Sequence, residues 1–229
     1  MRADRRVQRH NQTIEEILDV AIEVMGEEGV AALSLAEVAR RMGMRPPSLY
    51  QYFPSKLAVY DALFERGARQ TLAILEEAYQ SRIAENPLEG LAAAQAAWND
   101  WVMANPVLGQ LLYWRPVPGF EPSPKAYQPA LQLQDLGRAA LQAAVDAGQL
   151  APAAVSEEGG ALYTILMAGV ISQQLANEPA APAATGRFTR LTPTVLDMFV
   201  RYYAPAPGVP KEGEPDDRLP HPGRRPTPD

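Results

Sequence analysis

The sequence predicts an all-α protein of about nine helices, and three observations carry that prediction. Apolar residues recur at three- and four-residue spacing through most of residues 13–203 of the 229-residue chain. Helix-starting and helix-ending residues punctuate those stretches repeatedly. No alternating apolar–polar run reads as a strand, and no internal repeat appears.

The first helix is expected to open at Thr13, which makes a capping box with Glu16. Ile14, Ile17, Leu18, Ala21, Ile22 and Met25 follow on one face, and Gly29 ends it. Ser34 with Glu37 is a second capping box. It opens a short helix with Leu35, Val38, Ala39 and Met42 inward, closed by Gly43. Pro46-Pro47 starts a third helix through Phe53, because proline is accepted in a first turn. Ser55 caps a long fourth helix running to about Glu85. Asn86-Pro87 and Asn105-Pro106 open the fifth and sixth helices, the latter ending near Trp114. Residues 115–124 are a proline-rich loop. A seventh helix is expected from about Tyr127 to Ala147, closed by Gly148. Ser156 caps an eighth to about Asn177, with Glu157 and Glu158 favouring its N-terminus. Thr192-Pro193 opens the ninth, carrying Val195, Phe199 and Tyr202. Residues 204–229 are proline-rich with little apolar surface, and they read as a disordered tail.

Composition narrows the function. Hydrophobic residues at 47% and charged residues at 21% fit a chain that buries a core. There is no cysteine, which excludes disulfides, thiolate nucleophiles and Cys-ligated metals. The two histidines, His10 and His221, lie near opposite ends, which argues against a two-His metal site or a Ser–His–Asp relay. No enzyme activity, metal or cofactor is expected. The longest apolar run, Ala161 to Ile171, is too short to span a bilayer, and Met1 to Gln12 does not read as a signal peptide. No membrane partner is expected, and the expected location is the cytoplasm.

The net charge of −6 hides a segregation of signs. Arg2, Arg5, Arg6 and Arg9 outweigh Asp4 in residues 1–13. Residues 14–28 carry six carboxylates and no basic group. Arg40, Arg41, Arg45 and Lys56 outweigh Glu37 in residues 36–56. Two basic stretches flanking an acidic helix suit a polyanion-binding face, or a solvated surface of mixed charge.

The informative stretch is Leu33 to Lys56, LSLAEVARRMGMRPPSLYQYFPSK. Two short helices meet at a glycine turn, with the small Ala39 at their crossing, which is the grammar of a helix-turn-helix. Leu49 and Phe53 lie four apart and face inward. Arg45, Pro46, Ser48, Gln51 and Tyr52 are left outward, types that bond base edges and phosphates. An ordinary helical hairpin with a polar face has the same grammar.

The run Ser34-x4-Ala39-x3-Gly43-x4-Ser48-Leu49-Tyr50-x-Tyr52-Phe53-Pro54-Ser55-Lys56 resembles the DNA-binding domain of TetR-family transcription regulators. The resemblance covers residues 12–66; beyond it only the layout of helices matches. It implies a three-helix helix-turn-helix domain over 13–66; residues 1–12, with four arginines and no helical pattern, read as a flexible basic arm. A helical-bundle effector and dimerisation domain over 67–203 and the tail at 204–229 complete the layout. It implies a double-stranded DNA operator, with Ser34, Tyr50, Tyr52 and Lys56 at the backbone and Arg45, Pro46, Ser48 and Gln51 at the major groove. Ala36 departs from members with a polar base reader there, and Arg45-Pro46-Pro47 departs from the usual small polar start of the recognition helix.

The resemblance also implies a small-molecule pocket in the second domain. Trp98, Trp101, Tyr113 and Trp114 surround a helix break, and Tyr163 and Met167 lie on the eighth helix. Aromatic residues line such pockets, and equally they fill cores. The last two helices are the implied homodimer surface, through Leu162, Leu166, Gly169, Val170, Val195, Phe199 and Tyr202. The expected function is a ligand-responsive DNA-binding regulator, a repressor released from its operator by a small hydrophobic or aromatic molecule. The competing function is a helical small-molecule-binding protein or enzyme that does not read DNA.

Overall fold

The computed structural model describes residues 2–84 and 86–205. Among the described residues it contains nine α-helices and three short 3-10 turns. The helices are α1 (Arg2–Glu28), α2 (Leu35–Arg41), α3 (Pro46–Leu49), α4 (Lys56–Ile83) and α5 (Pro87–Ala104), followed by α6 (Pro106–Tyr113), α7 (Pro124–Asp146), α8 (Glu157–Asn177) and α9 (Thr192–Tyr202). The 3-10 turns are Val30–Ala32, Pro152–Val155 and Thr189–Leu191.

Most helix starts follow from local capping. Ser34, Ser55, Asn86, Ser123 and Ser156 each accept a hydrogen bond from the backbone N–H three residues on. The turn after α2 is a Schellman motif. Gly43 takes φ +65°, its N–H donates to the Arg40 carbonyl at 3.2 Å, and the Met44 N–H donates to the Ala39 carbonyl at 2.9 Å.

Three elements differ from the sequence expectation. The first helix starts at Arg2 rather than after Thr13, so residues expected as an arm continue α1. Thr13 does not cap: its hydroxyl donates back to the Arg9 carbonyl at 3.0 Å, and Gln12 bonds Glu16. No proline or glycine stands between Arg2 and Thr13 to break a helix. The recognition helix is a single turn, Pro46–Leu49, followed by turns to Phe53. The seventh helix starts three residues early, because Ser123 caps it and Pro124 takes its first position. Of the tail expected over 204–229, residues 206–229 lie outside the described residues.

The N-terminal head is tightly filled. Ile17, Ala21 and Val24 of α1, Val38 and Ala39 of α2, Leu49 of α3 and Val59, Tyr60 and Leu63 of α4 have no exposed surface. The buried Tyr60 hydroxyl donates to the Val30 carbonyl at 2.6 Å, which fixes the 3-10 turn before α2. Residue 66 falls inside α4, and the core does not stop there. Trp101 and Val102 of α5, and Val107, Leu108 and Leu111 of α6, join the same apolar cluster as the head. A second cluster joins α7, α8 and α9 through Leu141, Met167, Leu196 and Phe199.

Candidate nucleic-acid interface and effector cavity

The helix-turn-helix presents its candidate residues unequally. Leu49 and Phe53 are buried and hold the recognition segment on the head. Arg45, Pro46 and Gln51 are exposed, Ser48 is half-buried, and Tyr50 keeps 52% of its surface. Ser34 is occupied as the cap of α2, accepting the Glu37 N–H at 3.4 Å. Lys56 donates to the Ala31 carbonyl at 3.1 Å and lies 5.8 Å from the Tyr60 ring centre, so it also braces the 3-10 turn. The Tyr52 ring stacks on His10 of α1 with centroids 5.0 Å apart and planes at 21°.

The fold cancels part of the basic charge that the sequence concentrates here. Glu37 accepts from Arg40 at 2.7 Å through two contacts and from Arg41 at 2.8 Å. Arg41 then forms a two-point pair with Glu27 of α1 at 2.6 and 2.8 Å. Hydrogen bonds from Arg40, then from Arg41, hold the Glu37 carboxyl down to about 2. Arg66 pairs with Asp19 at 2.6 Å and Glu15 at 3.7 Å. Among the described residues, no ion pair engages Arg45.

The second candidate site is a cavity of about 890 Å³ enclosed by α4, α5, α6, α7 and α8. Trp98, Tyr113, Tyr163 and Met167 are among its lining residues. Trp101 and Trp114 lie outside its lining. Trp101 turns into the core shared with the head, and the Trp114 indole donates to Ser172 at 2.9 Å. Phe64, Tyr79, Gln95, Leu112 and Tyr127 line it as well. Those five carried no sequence signal that separates a cavity wall from a core.

The cavity wall is mainly apolar, and one polar chain leads from it into the protein. The Tyr163 hydroxyl donates to Gln95 Oε1 at 3.2 Å, and Gln95 Nε2 donates to Asn99 Oδ1 at 3.2 Å. Asn99 Nδ2 donates to the Thr192 hydroxyl at 2.7 Å, and that hydroxyl donates to the Thr189 carbonyl at 2.7 Å. The chain therefore connects the cavity wall to the start of α9. Burial raises the Tyr163 phenol well above its ordinary range, so it stays a neutral donor. The charged residues in the lining are Arg138 and Glu157, both exposed to solvent.

A latch joins cavity and head. Asp61 of α4 accepts from the Ser123 backbone N–H at 2.6 Å and from the Ser123 hydroxyl at 2.8 Å. One helical turn further along α4, Lys125 reaches Glu65 at 3.2 Å. Ser123 caps α7, which forms one wall of the cavity.

The predicted dimer residues divide. Phe199 is 1% exposed and packs on Tyr163 and Tyr203 at 5.4 and 4.9 Å, so it belongs to the core of one chain. Leu162, Leu166, Val170 and Val195 are half-buried, Gly169 is exposed, and Tyr202 is 73% exposed. Ile165 on α8 and Met198 on α9 are exposed as well.

No helix among the described residues is long and apolar enough to cross a membrane, and no three potential ligands converge there to hold a metal ion.

Residues 17–63, which enclose the helix-turn-helix, match the family model for bacterial regulatory proteins of the tetR family. An HTH-type transcriptional regulator of Mycobacterium bovis is 26% identical over 123 residues, 54% of this chain and 53% of that protein. The match therefore spans about half the length of that relative. A tetR-family regulatory protein from Rhodococcus shares the fold with a TM-score of 0.64 at 18% identity, covering 85% of this chain and 98% of that one. The regulator FadR from Bacillus subtilis, solved in complex with stearoyl-CoA, shares it with a TM-score of 0.61 at 20% identity, covering 81% and 97%. Likeness at that identity is a likeness of fold, and it extends the match from the helix-turn-helix to the bundle that follows. Motif, family model and architecture agree: residues 17–63 form a helix-turn-helix of the tetR-family type, and the bundle that follows shares the fold of tetR-family structures.

Proposed function

We propose that this protein binds an operator in double-stranded DNA as a homodimer and releases it when a small, neutral, mainly apolar molecule enters the cavity. The observation that carries the DNA reading is the combination of an exposed, unpaired Arg45 with exposed Gln51 on a segment anchored by buried Leu49 and Phe53. Gln51 is suited to a base edge and Arg45 to guanine or phosphate. Ser48, Tyr50 and Tyr52 offer hydroxyls to the backbone, and the free N–H donors of Lys56 offer charge. Ser34 contributes through its cap, and Pro46 by shape.

The effector reading rests on the lining. Charge in the wall is confined to solvent-exposed Arg138 and Glu157, while Gln95 and Tyr163 offer hydrogen bonds inside. That favours an uncharged body with one polar group. FadR from Bacillus subtilis, which has this fold, was solved in complex with stearoyl-CoA, which supports a small-molecule ligand for the fold. A molecule that displaces α7 pulls on Asp61 through Ser123, and so on the helix that begins beside the recognition segment. The dimer reading rests on Ile165, Met198 and Tyr202, apolar side chains 66%, 59% and 73% exposed on α8 and α9. Two recognition segments would then enter major grooves about 34–36 Å apart.

The test is footprinting on the DNA upstream of the protein's own gene, with and without metabolite extract. The expected result is a protected site that fades in extract. Gln51→Ala should weaken that site by about 1–3 kcal/mol and relax one position, whereas Lys56→Ala should weaken all sequences alike. Salt-independent or absent binding to duplex DNA would overturn the reading in favour of a helical small-molecule-binding protein.

A further inference from the structure

We infer that the N-terminal turns of α1 form a second, preorganised clamp on the phosphate backbone, beside the recognition segment. The inference rests on the DNA-binding reading above and assigns a site to residues outside the helix-turn-helix.

Three observations meet at this place. First, Arg5, Arg6 and Arg9 stand on a continuous helix that Ile17, Leu18 and Ala21 root in the head core. Their positions are therefore set by the fold and not by a free chain. Second, α1 is joined to the recognition side of the head by the His10–Tyr52 stack. Arg6 lies one helical turn before His10 on the same face, about 6 Å further along the axis, so its side chain projects past Tyr52. Arg9 adjoins His10, and Arg5 shares the next stripe with Arg9.

The third observation is how the head distributes its cations. Arg40, Arg41, Arg66 and Arg69 each have a carboxylate partner. Among the described residues, no ion pair engages Arg5, Arg6, Arg9 or Arg45, and all four side chains are exposed. The unneutralised charge of the head thus collects at the start of α1, at the start of α3 and at Lys56 of α4, and the His10–Tyr52 stack ties the first of these to the recognition side. Guanidinium groups on a polar helix with no acceptor of their own suit phosphodiester oxygens in two-point contacts. A duplex held by Arg45 and Tyr52 would run on under Arg6 and Arg9. The clamp reads no bases. It adds affinity and fixes the approach of the head, and it does so with little ordering cost because the helix is already formed.

The test uses the full-length chain and a short mixed-sequence duplex, so that no operator needs to be known. Binding is followed by fluorescence anisotropy between about 50 and 200 mM salt. Replacing Arg5, Arg6 and Arg9 together with alanine keeps good helix formers in place, and circular dichroism checks that the helix remains. The slope of log K against log salt should become shallower by about two to three per chain, and affinity at the low-salt end should fall at least tenfold. Arg45→Ala should make it shallower by about one. His10→Ala removes the stack without removing an arginine, and should weaken binding several-fold; His10→Phe keeps a flat ring and should bind like the wild type.

An unchanged slope in the triple variant, alongside a shallower slope in Arg45→Ala, overturns the clamp and leaves the DNA-binding reading standing. Equal loss in His10→Ala and His10→Phe overturns the role of the stack. Wild-type protein that fails to bind the duplex at low salt overturns both the clamp and the reading beneath it.

Discussion

The head and the bundle bury their side chains in different ways. In the head, Ile17, Val38, Leu49, Val59 and Leu63 interlock with no exposed surface, and the buried Tyr60 hydroxyl ends on a single backbone carbonyl. In the bundle, a cavity of about 890 Å³ remains open, and buried Gln95, Asn99 and Gln174 carry a network of side-chain bonds around it. The difference fits the roles proposed for the two halves. A recognition segment of one helical turn keeps its shape only if everything beneath it is filled. A half that admits a ligand must leave space, and polar side chains then hold the helices in register where apolar contacts are missing.

The largest expected effect probes filling directly. Leu49→Ala in the head should cost about 2–5 kcal/mol, because the site has no room to relax. Leu133→Ala in the half-buried cavity wall should cost less than about 1 kcal/mol, since it enlarges a space that already exists. Denaturant unfolding of the two variants decides this; equal losses would erase the distinction between the halves.

A pair of glycines tests whether the bundle is nonetheless close-packed away from its cavity. A Cβ on Gly159 would sit 2.5 Å from the carbonyl oxygens of Ala153 and Ala154, whereas one on the neighbouring Gly160 meets nothing within 4 Å. Gly159→Ala should therefore cost about 1–3 kcal/mol by forcing the 3-10 turn off α8. Gly160→Ala should be neutral or stabilising by up to about 1 kcal/mol. Thermal melts that rank the two the other way would refute the tight seam.

The seam between the halves comes next. Asp61→Ala leaves the partly buried Ser123 N–H without its acceptor and should cost about 1–2 kcal/mol. Ser123→Ala keeps that N–H bond and should cost less, even though it also removes the cap of α7. Urea unfolding midpoints compare them, and an Asp61→Ala protein as stable as the wild type would show that the latch contributes nothing.

The smallest effect lies on the surface of the head. The Glu37 carboxyl is held at about 2, below its ordinary value of 4.5. Its contribution to stability is therefore complete above about pH 4.5 and fades as the pH falls towards 2. Melting temperatures of the wild type should drop through that window more steeply than those of Glu37→Gln. Parallel curves would show that the Arg40–Glu37–Arg41 network carries no stability.

Much of the head was legible because its signals are local. Ser34 and Ser55 cap helices three residues away, and Gly43 satisfies the end of α2 within five residues. The Thr13–Glu16 box misled for the same kind of reason. Capping residues stop a helix only when what precedes them disfavours one, and Arg2 to Gln12 does not. The bundle was legible in its helices and not in its neighbours. Trp98 and Trp101 are three residues apart on one apolar stripe and both join the core shared with the head, yet only Trp98 also lines the cavity. Phe199 and Tyr202 are likewise three apart, and the first fills the core while the second stands in solvent. A stripe more than 100° wide touches more than one partner, and its edges part company.

The sequence by itself determined where most helices begin, which faces are apolar, and the helix-turn-helix that carries the family likeness. Those properties depend on contacts between residues three to five apart. Only the tertiary structure decided that Asp61 would meet Ser123, that Trp114 would meet Ser172, that Asn99 would meet Thr192, and that His10 would lie on Tyr52. Such pairs span tens of residues along the chain, and their side chains have no periodic or positional mark before the helices pack. Packing also decided which arginines keep their charge free. Glu27 and Asp19 neutralise Arg41 and Arg66, because α1 meets α2 and α4 with those residues at the crossings, whereas Glu37 pairs with Arg40 within α2 itself.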